Sequence, residues 1–469
     1  MRVMNQFLRK SLPLSAIVLF THSASAAALT TQPSAIPPST TSQRLQSLLG
    51  LFVFLMVAFL IGRLRGHRKL IPMRMLGWGL ALQFCFGLVV VKNRAFLIAI
   101  NDAVDALLGF TAQGAHLVFG NLSALRGPAV TSADGLTIGW ATDVGYFAFF
   151  VLPTIIFFAC LTAVLYHIGI MQYVVQGLAW IMSRTMKTSG AETLSSAANI
   201  FVGQTEAPLM VKPFIAAATQ SELMAIMVGG FANIASGVLG LYTVWLRPFI
   251  PDAAGHLAAA CFITAPGSLL IAKLMVPETE TPQTSGGVQF KVERIDANLL
   301  DAATRGTTEG LGLALNVGAM LITFTALVAL VNALLTWTSA HVGLRPISLE
   351  VILGYIFRPF AWLTGVNWIE SQRVGSLLGI KTVLNELIAY SDMKDHLTAD
   401  AMYLSPRAAL LATYALCGFA NFASVGIQVG GISTLAPTRR HDLSRIGLLA
   451  MVGGALASLM AACVVGILV

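Results

Sequence analysis

Two glutamates, Glu206 and Glu386, stand inside stretches that are otherwise mostly apolar. A charge at membrane depth costs at least about 2.5 kcal/mol on insertion scales, so such a residue faces a cavity and serves a ligand, an ion or a proton. Each has uncharged polar neighbours. Gln204 and Thr205 precede Glu206, Asn385 precedes Glu386, and further on come Asn421 and Ser424. The last two are three apart and share one helix face. Together these groups offer donors and acceptors with little charge, a set that reads the edge of a heterocycle or the hydroxyls of a sugar. Phe419, close by, is suited to packing on a ring. The plainer readings are an aqueous loop around Glu206, bounded by Gly203 and Pro208, and interhelical packing for the Asn, Ser and Phe side chains.

Such residues need an apolar setting, and the composition supplies one. Of 469 residues, 56 % are hydrophobic and 11 % charged, with a mean hydropathy of +0.77. A soluble domain carries about a quarter of its residues as charged side chains. The chain therefore needs lipid around it rather than one large core. The net charge of +8 does not mark a nucleic-acid binder, because the basic residues lie mainly in short loops between apolar runs, where they orient membrane spans. Cys85, Cys160, Cys261, Cys417 and Cys463 all fall in apolar segments with no CxxC spacing, which favours small buried residues over a disulfide or a metal site.

At the start, Arg2, Arg9 and Lys10 precede a short apolar stretch, Leu12 to Phe20, and an Ala-x-Ala ends at Ala26. This predicts a secretory leader over 1–26, followed by a flexible linker over 27–44. Eight spans are predicted, at 48–61, 75–91, 146–166, 223–245, 257–274, 311–337, 408–431 and 446–469, most of them near the length a bilayer requires. Arg63, Arg65, Arg68 and Lys69 place the first connection in the cytoplasm, and Arg439, Arg440, His441 and Arg445 do the same for the last. Both mature termini are then outside. Asn101, Asp102, Asp105 and His116 make 95–120 an expected surface-lying amphipathic helix. Pro153 is expected as a kink within the third span, and 277–306 as an exposed polar loop.

Two segments, 191–214 and 365–390, are apolar but interrupted by polar residues near their middles. Irregular backbone facing lipid is excluded, so both are expected as re-entrant hairpins of two half-helices. Each is followed by a copy of one heptapeptide. Gly230–Ser236 and Gly418–Ser424 agree at six of seven positions, each copy expected within an apolar helix. Interrupted segments at matching places in two halves point to a solute site at the repeat interface of a secondary transporter. The parts follow as 45–188, scaffold helices with the surface helix; 189–250, first hairpin and its helix; 251–340, scaffold helices and polar loop; and 341–469, second hairpin, its helix and the last span.

No nucleophile–His–acid arrangement, phosphate loop or HExxH-type spacing occurs, so neither an enzyme nor a bound cofactor is expected. Alternatives are a symporter of another small polar solute, such as a nucleobase or an amino acid, and a sensor without transport.

At these residues the chain resembles the concentrative nucleoside transporter family. The resemblance rests on Gly203-Gln204-Thr205-Glu206-Ala207-Pro208-Leu209, on 378–386 ending in Asn385-Glu386, on Cys417-Gly418-Phe419-Ala420-Asn421-Phe422, and on 152–158. It runs from about residue 45 to the C-terminus. It implies an all-α polytopic fold of eight spans and two re-entrant hairpins, a homotrimer in the lipid bilayer, and nucleoside uptake with a coupled cation. Gln204, Thr205, Glu206 and Val238 would face the nucleobase. Glu386, Asn421 and Ser424 would hold the ribose, with Phe419 lining the pocket. Sodium would sit at Asn199, Val202, Asn233 and Ile234. Family members usually carry a small hydroxyl residue where this chain has Asn233, which leaves sodium and the proton both open, with Glu206 or Glu386 as the proton's carrier.

Overall fold

The computed structural model describes residues 39–66, 73–123, 129–131, 137–140, 147–250, 252–285, 296–343 and 347–469. The leader, most of the linker, Arg68 and Lys69 lie outside them. The described chain is overwhelmingly helical. Among the described residues the exception is a two-stranded antiparallel ladder, Ala129–Thr131 with Thr137–Trp140.

Helices α1 (Thr41–Leu64), α2 (Met73–Gly87) and α3 (Arg94–Phe119) open the fold. α4 (Leu152–His167) and α5 (Ile170–Met186) follow, bent by 78° from one another. Pro153 lies in the first turn of α4. It is not the mid-span kink expected, because a missing N–H is harmless where no intrahelical partner exists.

α6 (Gly190–Ala198) and α7 (Lys212–Ile215, entered through a 3₁₀ turn at Ala207–Val211) form the first short-helix pair. α8 (Gln220–Ala232) and α9 (Ser236–Leu246) come next, then α10 (Ala253–Met275) and the long α11 (Leu299–His341). The end of the expected polar loop is thus the first turns of α11, capped by Asn298, which accepts from the Asp301 N–H at 2.9 Å. α12 (Leu349–Leu363) leads to the second pair, α13 (Ser371–Val383) and α14 (Glu386–Ala399). α15 (Pro406–Leu416), α16 (Phe422–Leu435) and α17 (Arg440–Leu468) complete the chain.

Seven helical segments among the described residues are long and apolar enough to cross a membrane, one of them α8 and α9 taken together, or eight if α4 and α5 count as one bent span. α3 is one of the seven, so length and composition do not separate the expected surface helix from a span. The expected span 408–431 is not continuous. It is α15 and α16, interrupted at 417–421. The run 223–245 is likewise interrupted at 233–235. Both interruptions fall on the repeated heptapeptide, which therefore marks helix breaks rather than helix interiors.

Polar caps start the elements that matter here. Ser189 with Glu192, and Thr219 with Glu222, form reciprocal capping boxes at the heads of α6 and α8. Asn385, Ser405 and Asn421 cap α14, α15 and α16, each accepting from the N–H three residues on. The core lies between α8, α10, α15 and α17, which are largely buried. α11 differs. It packs along α4 through Gly306 and Gly310, which lie against Ala159, Cys160, Ala163 and Ile156, a small-residue contact of the kind membrane helices use. Leu300, Leu315, Ile322 and Trp337 on α11 are exposed. Among the described residues every cysteine is free, and Cys85 is exposed rather than buried as expected.

Candidate functional site

The two helix breaks meet. Gly418 has φ +142°, and a Cβ there would stand 2.8 Å from the carbonyl oxygens of Phe231 and Ala232, at the end of α8. Only glycine combines that backbone with that approach. One copy of the heptapeptide is thereby set against the other.

From this crossing a chain of buried hydrogen bonds runs between the two short-helix pairs. Gln204, in the turn between α6 and α7, donates from Nε2 to Ser424 Oγ at 3.2 Å. The Ser424 N–H donates to Asn421 Oδ1 at 2.8 Å. Asn421 Nδ2 donates to Glu386 Oε2 at 3.0 Å, and Tyr242 Oη to Glu386 Oε1 at 3.2 Å. Glu386 is the first residue of α14, where the positive end of the helix dipole favours a carboxylate. Tyr242 packs tilted against Tyr390, ring centroids 4.3 Å apart, and the Tyr390 hydroxyl donates to the Thr413 carbonyl at 2.7 Å. Thr205 turns its methyl toward Gly431 on α16. Phe419 is half-buried in the second break, and Val238 is buried in the first turn of α9.

Glu206 points elsewhere. Its Oε2 accepts from the Gly203 N–H at 2.6 Å, and the side chain is exposed to a cavity of about 570 Å³. Val202, Thr162, Ser236, Arg305 and Glu309 also line that cavity. Gln204, Glu386, Asn421 and Ser424 are not among its lining residues. The structure thus separates Glu206 from the hydrogen-bonded group that Gln204 joins. Within the cavity, Arg305 pairs with Asp296 at 2.7 Å and Glu309 at 3.0 Å. Thr162 and Ser236 share a hydrogen bond of 3.1 Å between α4 and α9.

The four residues expected around sodium flank the first break. Asn233 ends α8. Its Nδ2 donates to the Gly229 carbonyl at 3.4 Å, and its Oδ1 accepts from the Thr264 hydroxyl. Val202 and Ile234 are buried. Asn199 Nδ2 donates to the Ser195 carbonyl at 3.0 Å. Its Oδ1, with Ser195 Oγ and Ser196 Oγ, is buried without a hydrogen-bond partner. Orphan neutral oxygens of this kind, near the end of α6, are what a hard cation takes as ligands. Among the described residues, no group of three His, Cys, Asp or Glu that suits a transition metal occurs.

Several site residues escape a reading of the sequence. Tyr242 holds Glu386 but is one hydroxyl in an apolar run. Gln428 bonds Gln204; a polar stripe at 421, 424 and 428 in an apolar helix is the signal that finds it. Lys381, buried on α13, donates to the Ala415 carbonyl at 2.9 Å, at the negative end of α15. Lys273, buried on α10, binds Glu192 at 2.6 Å and Glu278 at 3.3 Å, fastening the head of α6.

Broken helices crossing at a polar centre, each served by a short-helix pair, define the architecture of a secondary transporter. Comparison with known proteins carries this to a family. Three family models match: the Na+ dependent nucleoside transporter N-terminus at residues 49–122, nucleoside recognition at 148–248, and the Na+ dependent nucleoside transporter C-terminus at 256–466. Sodium/nucleoside cotransporter 1 of Rattus norvegicus is 41 % identical over 441 residues, covering 91 % of this chain and 64 % of the relative. An uncharacterized transporter of Bacillus subtilis, YutK, is 40 % identical over 430 residues, covering 91 % of this chain and 99 % of that protein. CNTnw in an inward-facing substrate-bound state superposes with a TM-score of 0.80 at 38 % identity, covering 91 % of this chain and 97 % of the other. The chain spans less than two thirds of the length of the mammalian relatives it matches. The chain belongs to the concentrative nucleoside transporter family, a family of membrane transporters and not of enzymes.

Proposed function

We propose that this protein imports nucleosides across a bacterial inner membrane by sodium symport and alternating access, as a homotrimer with both termini outside. The observation that carries the reading is the buried hydrogen-bonded chain Gln204–Ser424–Asn421–Glu386, which links both short-helix pairs across both helix breaks. A solute that inserted its own donors and acceptors into this chain would tie the two halves together.

In this reading the short-helix pairs are re-entrant hairpins. Gln204 and Thr205 face the nucleobase beside Val238. Glu386, Asn421 and Ser424 hold the ribose hydroxyls, where a carboxylate acceptor makes the stronger, charge-assisted bonds. Phe419 lines the ring pocket. Glu206, held by the Gly203 N–H at the mouth of its own cavity, joins the base-binding group as the first hairpin closes. Sodium binds at Asn199, Val202, Asn233 and Ile234, and the orphan oxygens of Asn199, Ser195 and Ser196 support that placement. Cotransporters named for sodium and nucleosides, in Rattus norvegicus and other mammals, support the ion and the solute. Neighbours described as inward-facing, outward-facing and intermediate support alternating access. The exposed apolar face of α11 supports contact with other subunits.

The test is uptake of radiolabelled uridine into proteoliposomes under separately imposed sodium and pH gradients. Accumulation driven by sodium alone supports the reading. Accumulation driven only by the pH gradient removes the sodium site, and no accumulation removes the nucleoside.

A further inference from the structure

Gln428 is fully buried on α16, four residues beyond Ser424. Its Nε2 donates to two oxygens: Gln204 Oε1 at 3.1 Å and the Met227 carbonyl at 3.2 Å. Its Oε1 has no hydrogen-bond partner. A buried amide left half-satisfied is costly, and here it holds one other side chain in place. We infer that Gln428 is a specificity-determining positioning residue: it locks the orientation of the Gln204 amide and so sets which nucleobase edge Gln204 reads. The inference rests on Gln204 facing the base.

The lock follows from what each atom is able to do. A backbone carbonyl only accepts, so Met227 requires the NH₂ end of Gln428. That same NH₂ must then find an acceptor on Gln204, which is Oε1. Gln204 Nε2 is left facing Ser424 Oγ, where it donates at 3.2 Å. Turning Gln204 over would set two NH₂ groups against each other. Turning Gln428 over as well would set its oxygen against the Met227 carbonyl. Space is reserved for the contact: a Cβ on Gly230 would stand 2.6 Å from Gln428 Nε2 and 3.1 Å from Gln204 Cβ.

With one lone pair of Oε1 and one N–H of Nε2 committed, one of each remains on Gln204, in a fixed order. Uracil presents a donor at N3 beside an acceptor at O4. Cytosine presents an acceptor at N3 beside a donor at N4. A free glutamine turns over to suit either, whereas a locked one favours one of them.

The experiment measures the concentrations of unlabelled uridine and cytidine that halve labelled uridine uptake in proteoliposomes at saturating sodium. Wild type, Gln428→Leu, Gln428→Met and Gln204→Ala are compared. A locked amide predicts that wild type discriminates between the two by roughly fivefold or more, the lower end of what one unpaired buried polar group costs. Gln428→Leu removes the lock and moves the ratio toward one while the sodium dependence stays. Gln428→Met, whose flexible chain fills the same volume, carries the test where the leucine variant does not assemble. Equal potency of uridine and cytidine in wild type, or a wild-type ratio kept in both Gln428 variants while Gln204→Ala abolishes it, overturns the lock. A ratio untouched by Gln204→Ala overturns base reading by Gln204 itself, and the lock with it.

Discussion

Asn233 and Asn421 hold the same place in two copies of one heptapeptide, yet Asn233 ends a helix and Asn421 begins one. At the first break the gap is three residues long, and the Asn233 amide is engaged by Thr264 and the Gly229 carbonyl. Nearby lie the orphan oxygens of Asn199, Ser195 and Ser196. At the second break the gap is five residues long, and Asn421 joins the head of α16 to the carboxylate of Glu386. The first break has buried neutral oxygens near it, the kind of ligand a small hard cation takes. The second aligns a carboxylate, an amide and a hydroxyl, which suits an organic solute with several hydroxyls. The two copies of one motif thus differ in the element packed against them: α10 with Thr264 in one case, α14 with Glu386 in the other.

The largest expected effect breaks the second site. Glu386→Gln replaces a carboxylate that accepts from Tyr242 and Asn421. Charge-assisted bonds contribute about 1.5–3 kcal/mol each. Uridine uptake should fall about 100-fold, a change of about 2.7 kcal/mol, at equal amounts of protein and with the assembly size unchanged on gel filtration. Wild-type uptake by the purified variant would remove the ribose role.

Next comes Gln204→Ala, which takes a donor from the Ser424 hydroxyl and an acceptor from the Gln428 amide. Half-saturating uridine should rise about tenfold, within the 1–3 kcal/mol of an unpaired buried group. Nucleosides with altered bases should then compete more evenly. Selectivity that survives the change would leave Gln204 a structural role.

Asn233→Leu probes the first break. Half-saturating sodium should rise several-fold while the rate at saturating sodium holds, because one oxygen ligand among several is lost. Asn233→Ser, which keeps an oxygen, should keep the sodium dependence. A nucleoside affinity that shifts while the sodium midpoint stays would reverse the division between the two breaks.

The smallest effect tests the frame. Ser189→Ala removes the cap of α6 and the 2.6 Å bond to Glu222. A stability loss of about 1 kcal/mol is expected, read as a lower midpoint in thermal unfolding in detergent, with uptake retained.

Much of this arrangement was legible in the chain. Apolar runs separated by basic loops placed most helices, and the doubled heptapeptide placed both halves. The breaks themselves were not legible, because Ile234 and Phe419 keep hydropathy continuous through them. What interrupts the helices is tertiary: the Phe231 and Ala232 carbonyls against Gly418, and Thr264 on Asn233. The different surroundings of Gln204 and Glu206 were hidden for a related reason. They lie in a non-helical turn, where neighbours two apart in sequence have no fixed common face. Gln428 was hidden as a single amide in an apolar helix, its spacing from Asn421 and Ser424 on one face being the signal it leaves.

The central claim, a cation at the first break and the nucleoside's ribose at the second, is tested most directly by a sodium titration of labelled uridine uptake at fixed pH. The account predicts uptake that rises from near zero and saturates with sodium, with a midpoint moved to higher sodium in Asn233→Leu and unmoved in Gln204→Ala. Uptake that ignores sodium and follows an imposed pH gradient would contradict it.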